Sequence, residues 1–386
     1  MSVIDAIRRD QDELVAIRHD IHRHPELGLE TFRTADIVAQ KLESWGIETH
    51  RLVGGAAVVG VLRNGAGNRA IGLRADMDAL PMTEMTDLPF SSTIPGKMHA
   101  CGHDGHTTML LGAAKYLAET KNFSGTIHLI FQPGEEGCGG ALAMLEDGLF
   151  EKFPCDVIYG MHNRTGMDVG TFAVRPGPAM AGGAFFDITI GGKGSHGARP
   201  EESFDPVLTA CHIGTALQSI VSRNLIPRDP AVVSITKITG GDAYNVIPQT
   251  ATLSGTCRFF DHKVSDQIEA AMRRVVAGVA AGFGCTADVK WTLIFAPTIN
   301  AAEPSEVVKT VATELVGTEK LFTTKPPVMG SEDFAFMMEK VPGAYLNVGN
   351  GPGFSPHHPG YTFEDKAIPY GAGMYVALIE KEMPVT

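Results

Sequence analysis

The sequence predicts an α/β protein in two parts. The larger part is an α/β domain with a mixed sheet flanked by helices, and the smaller is an inserted two-layer α+β domain of ferredoxin-like order. Three observations predict this. The 386 residues exceed one typical domain. Strand-like and helix-like runs alternate over roughly the first 180 residues, the pattern of a sheet with helices on both faces. Pro176-Gly177-Pro178 and Gly182-Gly183 then punctuate the chain, and a β-α-β-β-α-β order follows until Pro297. The expected boundaries are 1–182 and 296–386 for the larger domain and 183–295 for the inserted one.

Ile4, Ile7, Leu14, Ile17 and Ile21 recur at roughly helical spacing, so the chain opens on a helix that His24-Pro25 breaks. A second helix fits 34–45 and stops at Gly46. Strands are expected at 57–62 and 70–74, and the second leads into Asp76-Met77-Asp78. A helix over 106–119 follows, then strands at 126–131 and 157–160. In the inserted domain the strands fall near 184–191, 231–239, 250–260 and 286–294, with helices at 205–222 and 264–282. Helices at 304–316 and 331–340, a strand at 344–348 and a helix at 365–382 complete the larger domain.

Composition narrows the function. A net charge of −12 argues against nucleic acid as a partner. No run of about 18 apolar residues indicates a membrane span. The charged N-terminus lacks a signal-peptide core. The six cysteines show no framework spacing, so a reducing cytoplasm without structural disulfides is expected.

The densest chemistry is His99-Ala100-Cys101-Gly102-His103-Asp104-Gly105-His106: one thiol, three imidazoles and a carboxylate in eight residues. Thiolate and imidazole donors suit Zn, Co, Ni or Mn, and the lack of paired Cys-x-x-Cys spacings argues against a structural zinc site. Asp76 and Asp78 lie at a predicted strand end, where ligands of α/β sheets gather. Glu135-Glu136 follows another strand; one carboxylate can bind metal while its neighbour acts as a base, although alone the pair would read as a solvated acidic turn. His162, His357 and His358 would each, alone, be ordinary surface histidines; together with Cys101 and the carboxylates they supply what two metals need. In the inserted domain, Ser195-His196-Gly197 reads equally as a hairpin tip, and Arg258 equally as a surface cation or as a bidentate partner for a substrate carboxylate.

These pieces occur in one order: RHDIHRHPELGLE (18–30), LRADMDALP (73–81), HACGHDGHTTMLLGAA (99–114), FQPGEEG (131–137), GMHN (160–163), GKGSHGARP (192–200), NVIP (245–248), GTCRFFD (255–261), GSEDF (330–334) and HHPGYTFED (357–365). As a set they resemble the M20 metallopeptidase family, in its amidohydrolase branch of hippurate hydrolases, N-acyl-amino-acid deacylases and auxin-conjugate hydrolases. The resemblance implies a catalytic domain holding two divalent ions per chain, Mn or Zn foremost and Co or Ni as alternatives. It implies an inserted domain that serves as lid and homodimer surface. It maps Cys101, His103, Glu136, His162 and His357 as metal ligands, with Cys101 a candidate bridge. Glu135 becomes the base for the water between the metals. His357 is chosen over His358 because in this branch the ligand stands two before the motif proline. Asp76 and Asp78 would orient ligands from outside. His196 would stabilise the oxyanion, with reach across the dimer, and Asn245 and Arg258 would hold the substrate carboxylate.

The expected reaction is hydrolysis of an N-acyl or N-aroyl amino acid to a carboxylic acid and an amino acid. A metallo-dipeptidase is the alternative within enzymes, and a catalytically silent metal- or ligand-binding protein the alternative outside them. No His-Glu-x-x-His helix and no Gly-x-Ser-x-Gly elbow is present to support other hydrolases. Two departures from the branch stand out: Cys138, where a glycine is usual, and Arg164-Thr165, where an apolar or aromatic residue and proline are common.

Overall fold

Strand Ala57–Asn64 buries its first six side chains and Ala70–Asp76 its last six, so both faces of each are covered. That is the mark of inner strands packed between helices. They belong to an eight-stranded mixed sheet in a computed structural model that describes residues 2–385. The strand order is 48–52, 57–64, 125–132, 70–76, 157–164, 343–349, 172–173, 321–322. The four central strands run parallel. Strands 48–52 and 57–64 are antiparallel additions at one edge.

This sheet is the centre of one compact unit, Met1–Ala179, Ile299–Pro326 and Asp333–Thr386; a second unit comprises Met180–Thr298 and Pro327–Glu332. In the first unit, helix Gln11–Arg23 turns Leu14, Ile17 and Ile21 inward. Helices His103–Thr120 and Ile368–Glu382 lie against each other at close range. Gly371 lies at the contact: a Cβ there would come within 2.0 Å of Met109 Sδ, so a side chain would displace Met109 from its place between the helices. Leu14 is fully buried in the same core, and truncating it to alanine would cost about 2–5 kcal/mol.

The second unit is a four-stranded antiparallel sheet ordered 231–240, 250–259, 182–191, 286–295. Strand Thr250–Phe259 alternates buried and open residues, so one face is covered, by helices Pro206–Leu217 and His262–Gly282. Asp205 accepts hydrogen bonds from the Val207 and Leu208 amides, with Pro206 in the first turn, so this helix start is written in its sequence. A short ribbon pairs Ser195–His196 with Val246–Ile247.

Several elements differ from the sequence expectation. The helix expected from 106 begins at His103, because Gly102 at φ 95° supplies a left-handed cap. The strand expected to stop at 160 runs on to Arg164 and so contains His162. The helix expected over 331–340 is only Phe334–Met338. The helix expected over 205–222 ends at Leu217 and continues as a π-helical turn over Ile220–Asn224. Strand Glu48–Leu52 has almost no apolar alternation to announce it and is held by backbone pairing at the sheet edge. Among the described residues no helix is long and apolar enough to cross a membrane.

Candidate metal centre

The carboxyl ends of the parallel strands bring five chain segments together. Asp76 closes strand Ala70–Asp76. Asp78 lies two residues on and accepts the Glu135 amide on one oxygen at 3.0 Å and the Glu136 amide on the other at 3.1 Å. One carboxylate therefore fixes the turn that presents both glutamates. Cys101 and His103 flank Gly102, where a Cβ would lie 2.2 Å from Asn163 Nδ2 and 2.5 Å from Tyr361 Oη; only glycine fits. His162 projects from strand Val157–Arg164. The loop carrying His357 is tied in by its amide, which donates to the Ala100 carbonyl at 2.8 Å.

Candidate donor atoms converge within 4.8 Å of one another in overlapping sets: Cys101, His103 and His162; Cys101, Glu136 and His357; His103, Glu135 and Glu136. Cys101 Sγ is 3.3 Å from His162 Nε2, and His357 Nε2 is 3.2 Å from Glu136 Oε1. Cys101 thus belongs both to a set with two imidazoles and to a set with a carboxylate and a third imidazole. His358 turns elsewhere, stacked on Phe354 at 3.9 Å with its Nδ1 accepting the Gly360 amide.

The electrostatics fit divalent cations. His103 Nε2 is buried without a hydrogen-bond partner, 3.8 Å from Asp76 Oδ2 and 4.0 Å from Glu136 Oε1, a costly state that a metal would relieve. Burial pushes the Cys101 thiol up to about 12, so its thiolate form needs a cation beside it. Burial pulls His162 down to about 3, leaving a neutral imidazole ready to ligate. Burial opposes charge on His103 too, but Asp76 and Asp78 raise it well above the usual histidine range. A metal in that position would take the place of its proton.

Behind the donors stands a polar frame of which the sequence reading foresaw only the supporting carboxylates Asp76 and Asp78. His106 Nε2 accepts the Asn163 backbone amide at 3.0 Å, so its proton is on Nδ1, 2.5 Å from Asp76 Oδ1. His106 therefore has no nitrogen left for a metal, although it sits in a set with Asp76 and His103. Asp76 also pairs with fully buried Arg74 at 2.8 Å. On the next layer, the carboxylate of Asp104 receives Arg18 and His22, each at 2.8 Å, and His22 also reaches Glu84 at 3.2 Å. Burial works against charge on His22, yet Asp104 raises it to about 9. Apart from those two carboxylates, Arg18, His22, Arg74, Asp104, His106 and Asn163 stand inside the quoted motifs without a task assigned from sequence.

The second unit carries the remaining candidates. Strand pairing brings His196 opposite Val246, next to Asn245, whose carbonyl accepts the Gly197 amide at 2.7 Å. His196 is exposed, and its Nδ1 accepts the Ala198 amide at 3.0 Å. Arg258 lies on strand Thr250–Phe259, and its guanidinium donates to the Cys257 carbonyl at 2.8 Å and to Thr256. Cys138 is exposed, 3.8 Å from the Glu136 carbonyl.

Comparison with known proteins converges on one family. Residues 72–381 match the pattern of peptidase family M20/M25/M40. A hippurate hydrolase of Campylobacter jejuni is 42% identical over 381 residues, 99% of each chain. An N-acetyl-L-cysteine deacetylase of Bacillus subtilis is 39% identical over 93% of this chain and 85% of its own. A solved Bacillus subtilis structure, described as a dinuclear metal binding peptidase from the M20 family, superimposes with a TM-score of 0.86 at 33% identity, covering 97% of this chain and 99% of that one.

Proposed function

The chain belongs to peptidase family M20/M25/M40, and on that premise we propose a dinuclear metal-dependent amidohydrolase that splits N-acyl or N-aroyl amino acids into a carboxylic acid and an amino acid. The observation that carries this reading is the position of Cys101, shared by two donor sets, with Glu135 beside them. Cys101, His103, Glu136, His162 and His357 would hold two divalent ions, manganese or zinc foremost. Ions so placed supply Lewis acidity and lower the pKa of bound water towards neutrality.

The rest of the chemistry falls to the chain's own groups. Glu135 is assigned the base: it takes the proton of the attacking water and returns it to the departing amine. Asp78 supports that task by fixing the Glu135 and Glu136 amides together. Asp76 keeps His106 in one tautomer and so holds the ligand segments in place. His196 is assigned the developing oxyanion, and Asn245 and Arg258 the substrate carboxylate.

Two further readings rest on the same premise. Pairing of two chains is assigned to the second unit, supported by the open edge of its sheet at Ala231–Gly240 and by exposed Leu208 and Ile238. A reducing cytoplasmic setting is supported by six cysteines that form no disulfide. The enzymatic reading is tested by amine release from N-acetyl, N-benzoyl and indole-acetyl amino acids and from dipeptides, using metal-free protein reloaded with Mn, Zn, Co or Ni. Metal-dependent release from the acyl amino acids is expected. Preference for dipeptides would redirect the assignment to a peptidase, and bound metal with no hydrolysis would contradict it.

A further inference from the structure

Near the carboxyl end of strand Val157–Arg164 a line of cross-strand neighbours starts at His162. His162 and Arg164 are two apart on one strand, so they share a face, and both are only half-buried while Met161 and Asn163 are buried. Parallel pairing sets Asn347 opposite His162. Asn347 in turn pairs with Ala173, and Ala173 with Phe322. The line thus crosses four strands from a candidate ligand to an exposed phenylalanine, three strand spacings of about 4.8 Å each.

Two cations stand over this line. Arg164 folds back across it, with a guanidinium nitrogen 3.4 Å from Asn347 Oδ1. Lys325 Nζ lies 4.8 Å from the centre of the Phe322 ring. Its loop is pinned by Arg175, which donates to the Lys325 carbonyl at 3.0 Å. Burial and the nearby Arg164 charge both hold the Lys325 ammonium below the usual lysine range. In a chain with twelve more acidic than basic residues, neither cation has a carboxylate within ion-pair distance among the described residues. Two like charges gathered beside a candidate active site, with no internal counter-ion, are an arrangement an anion would stabilise.

We propose that Arg164 and Lys325 form a subsite for a second carboxylate carried by the substrate away from the scissile amide. The subsite rests on the amidohydrolase reading and narrows its substrate class to N-acyl amino acids with an additional acidic group. Two residues along the same strand and on the same face as His162, Arg164 would meet an acid group carried a few bonds from the reacting carbonyl. Asn347 Oδ1 accepts from the guanidinium on the neighbouring strand. The acidic group comes either from a diacid on the acyl side or from an acidic amino acid on the amine side.

The test uses matched pairs on the metal-loaded protein: N-glutaryl-L-alanine against its methyl ester, and N-acetyl-L-glutamate against N-acetyl-L-glutamine. The wild type is expected to favour the acidic member of one pair by tenfold or more in kcat/KM, the usual worth of a charge-assisted contact. The pair that shows the preference names the source of the carboxylate. Arg164→Met and Lys325→Met are each expected to shrink that ratio about tenfold, and Arg164→Lys to retain part of it. Equal rates for acid and neutral members, or a ratio unmoved by both substitutions, would overturn the subsite while leaving the amidohydrolase reading intact. If no substrate in either pair is split, calorimetric titration of glutarate into the metal-free protein decides the matter. Binding weakened tenfold or more in the Arg164→Met, Lys325→Met double variant upholds the subsite. Absent or unchanged binding overturns it.

Discussion

The side-chain amide of Asn163 donates to the carbonyl oxygen of Cys101 at 2.7 Å. Through this one bond the strand that presents His162 is tied to the loop that presents the thiol. Asn163 also gives its backbone N–H to His106 and accepts the Tyr361 hydroxyl at 2.8 Å. The fit is close enough that Gly102 has no room for a methyl group. Candidate donors more than sixty positions apart in sequence are thereby held as one unit.

Asn163→Ala removes that tie and leaves the Cys101 carbonyl and the Tyr361 hydroxyl without their shared partner. Metal affinity is expected to fall about 10–100-fold, the usual effect of losing a group that orients ligands. Competition against a chelator of known affinity measures it. An unchanged affinity would mean that the backbone alone holds Cys101.

Glu135→Gln keeps the shape of the turn and its amide bond to Asp78 but removes the base. Turnover is expected to drop by about 10²–10⁴ or more, with metal content unchanged. Loss of metal along with activity would reverse the roles of Glu135 and Glu136.

His196→Ala is expected to retain its metal and to lose about 10²–10³ in kcat, with a smaller change in KM, as for removal of one oxyanion donor. A change confined to KM would reassign His196 to substrate binding.

Stability should depend on pH through His22. Its folded-state pKa is raised from 6.5 to about 9, so its pairing with Asp104 is fully present below 6.5 and is lost as pH rises through 9. Its partner Glu84 is held down to about 2 against the effect of burial, so that contribution is present above the ordinary 4.5 and is lost towards pH 2. Thermal midpoints of the metal-free protein should therefore decline between pH 6.5 and 9, and His22→Gln should flatten the decline. Parallel profiles for the two proteins would count against a charged His22.

The candidate donor segments that the structure brings together were legible because thiol, imidazole and paired carboxylates stand in short, chemically distinctive strings such as 99–106 and 135–136. The alternation of strands and helices was legible for the inner strands, whose buried runs are long. The frame behind the ligands was not. Arg18 and Asp104 are 86 positions apart and Asn163 and Tyr361 are 198 apart, so nothing local announces their contact. Arg18 also defeats the rule that charge marks surface, being 1% exposed against two carboxylates. The start of the helix at His103 was hidden because Gly102 reads as a breaker, whereas here it caps.

The most direct test of the central claim is a titration of metal-free protein with Mn or Zn, following bound metal per chain and release of amino acid from an N-acyl substrate in the same sample. Two ions per chain, with activity rising as the sites fill and both lost in Cys101→Ser, is the predicted result. Hydrolysis that persists in the chelated protein, or a chain that binds no metal, would contradict it.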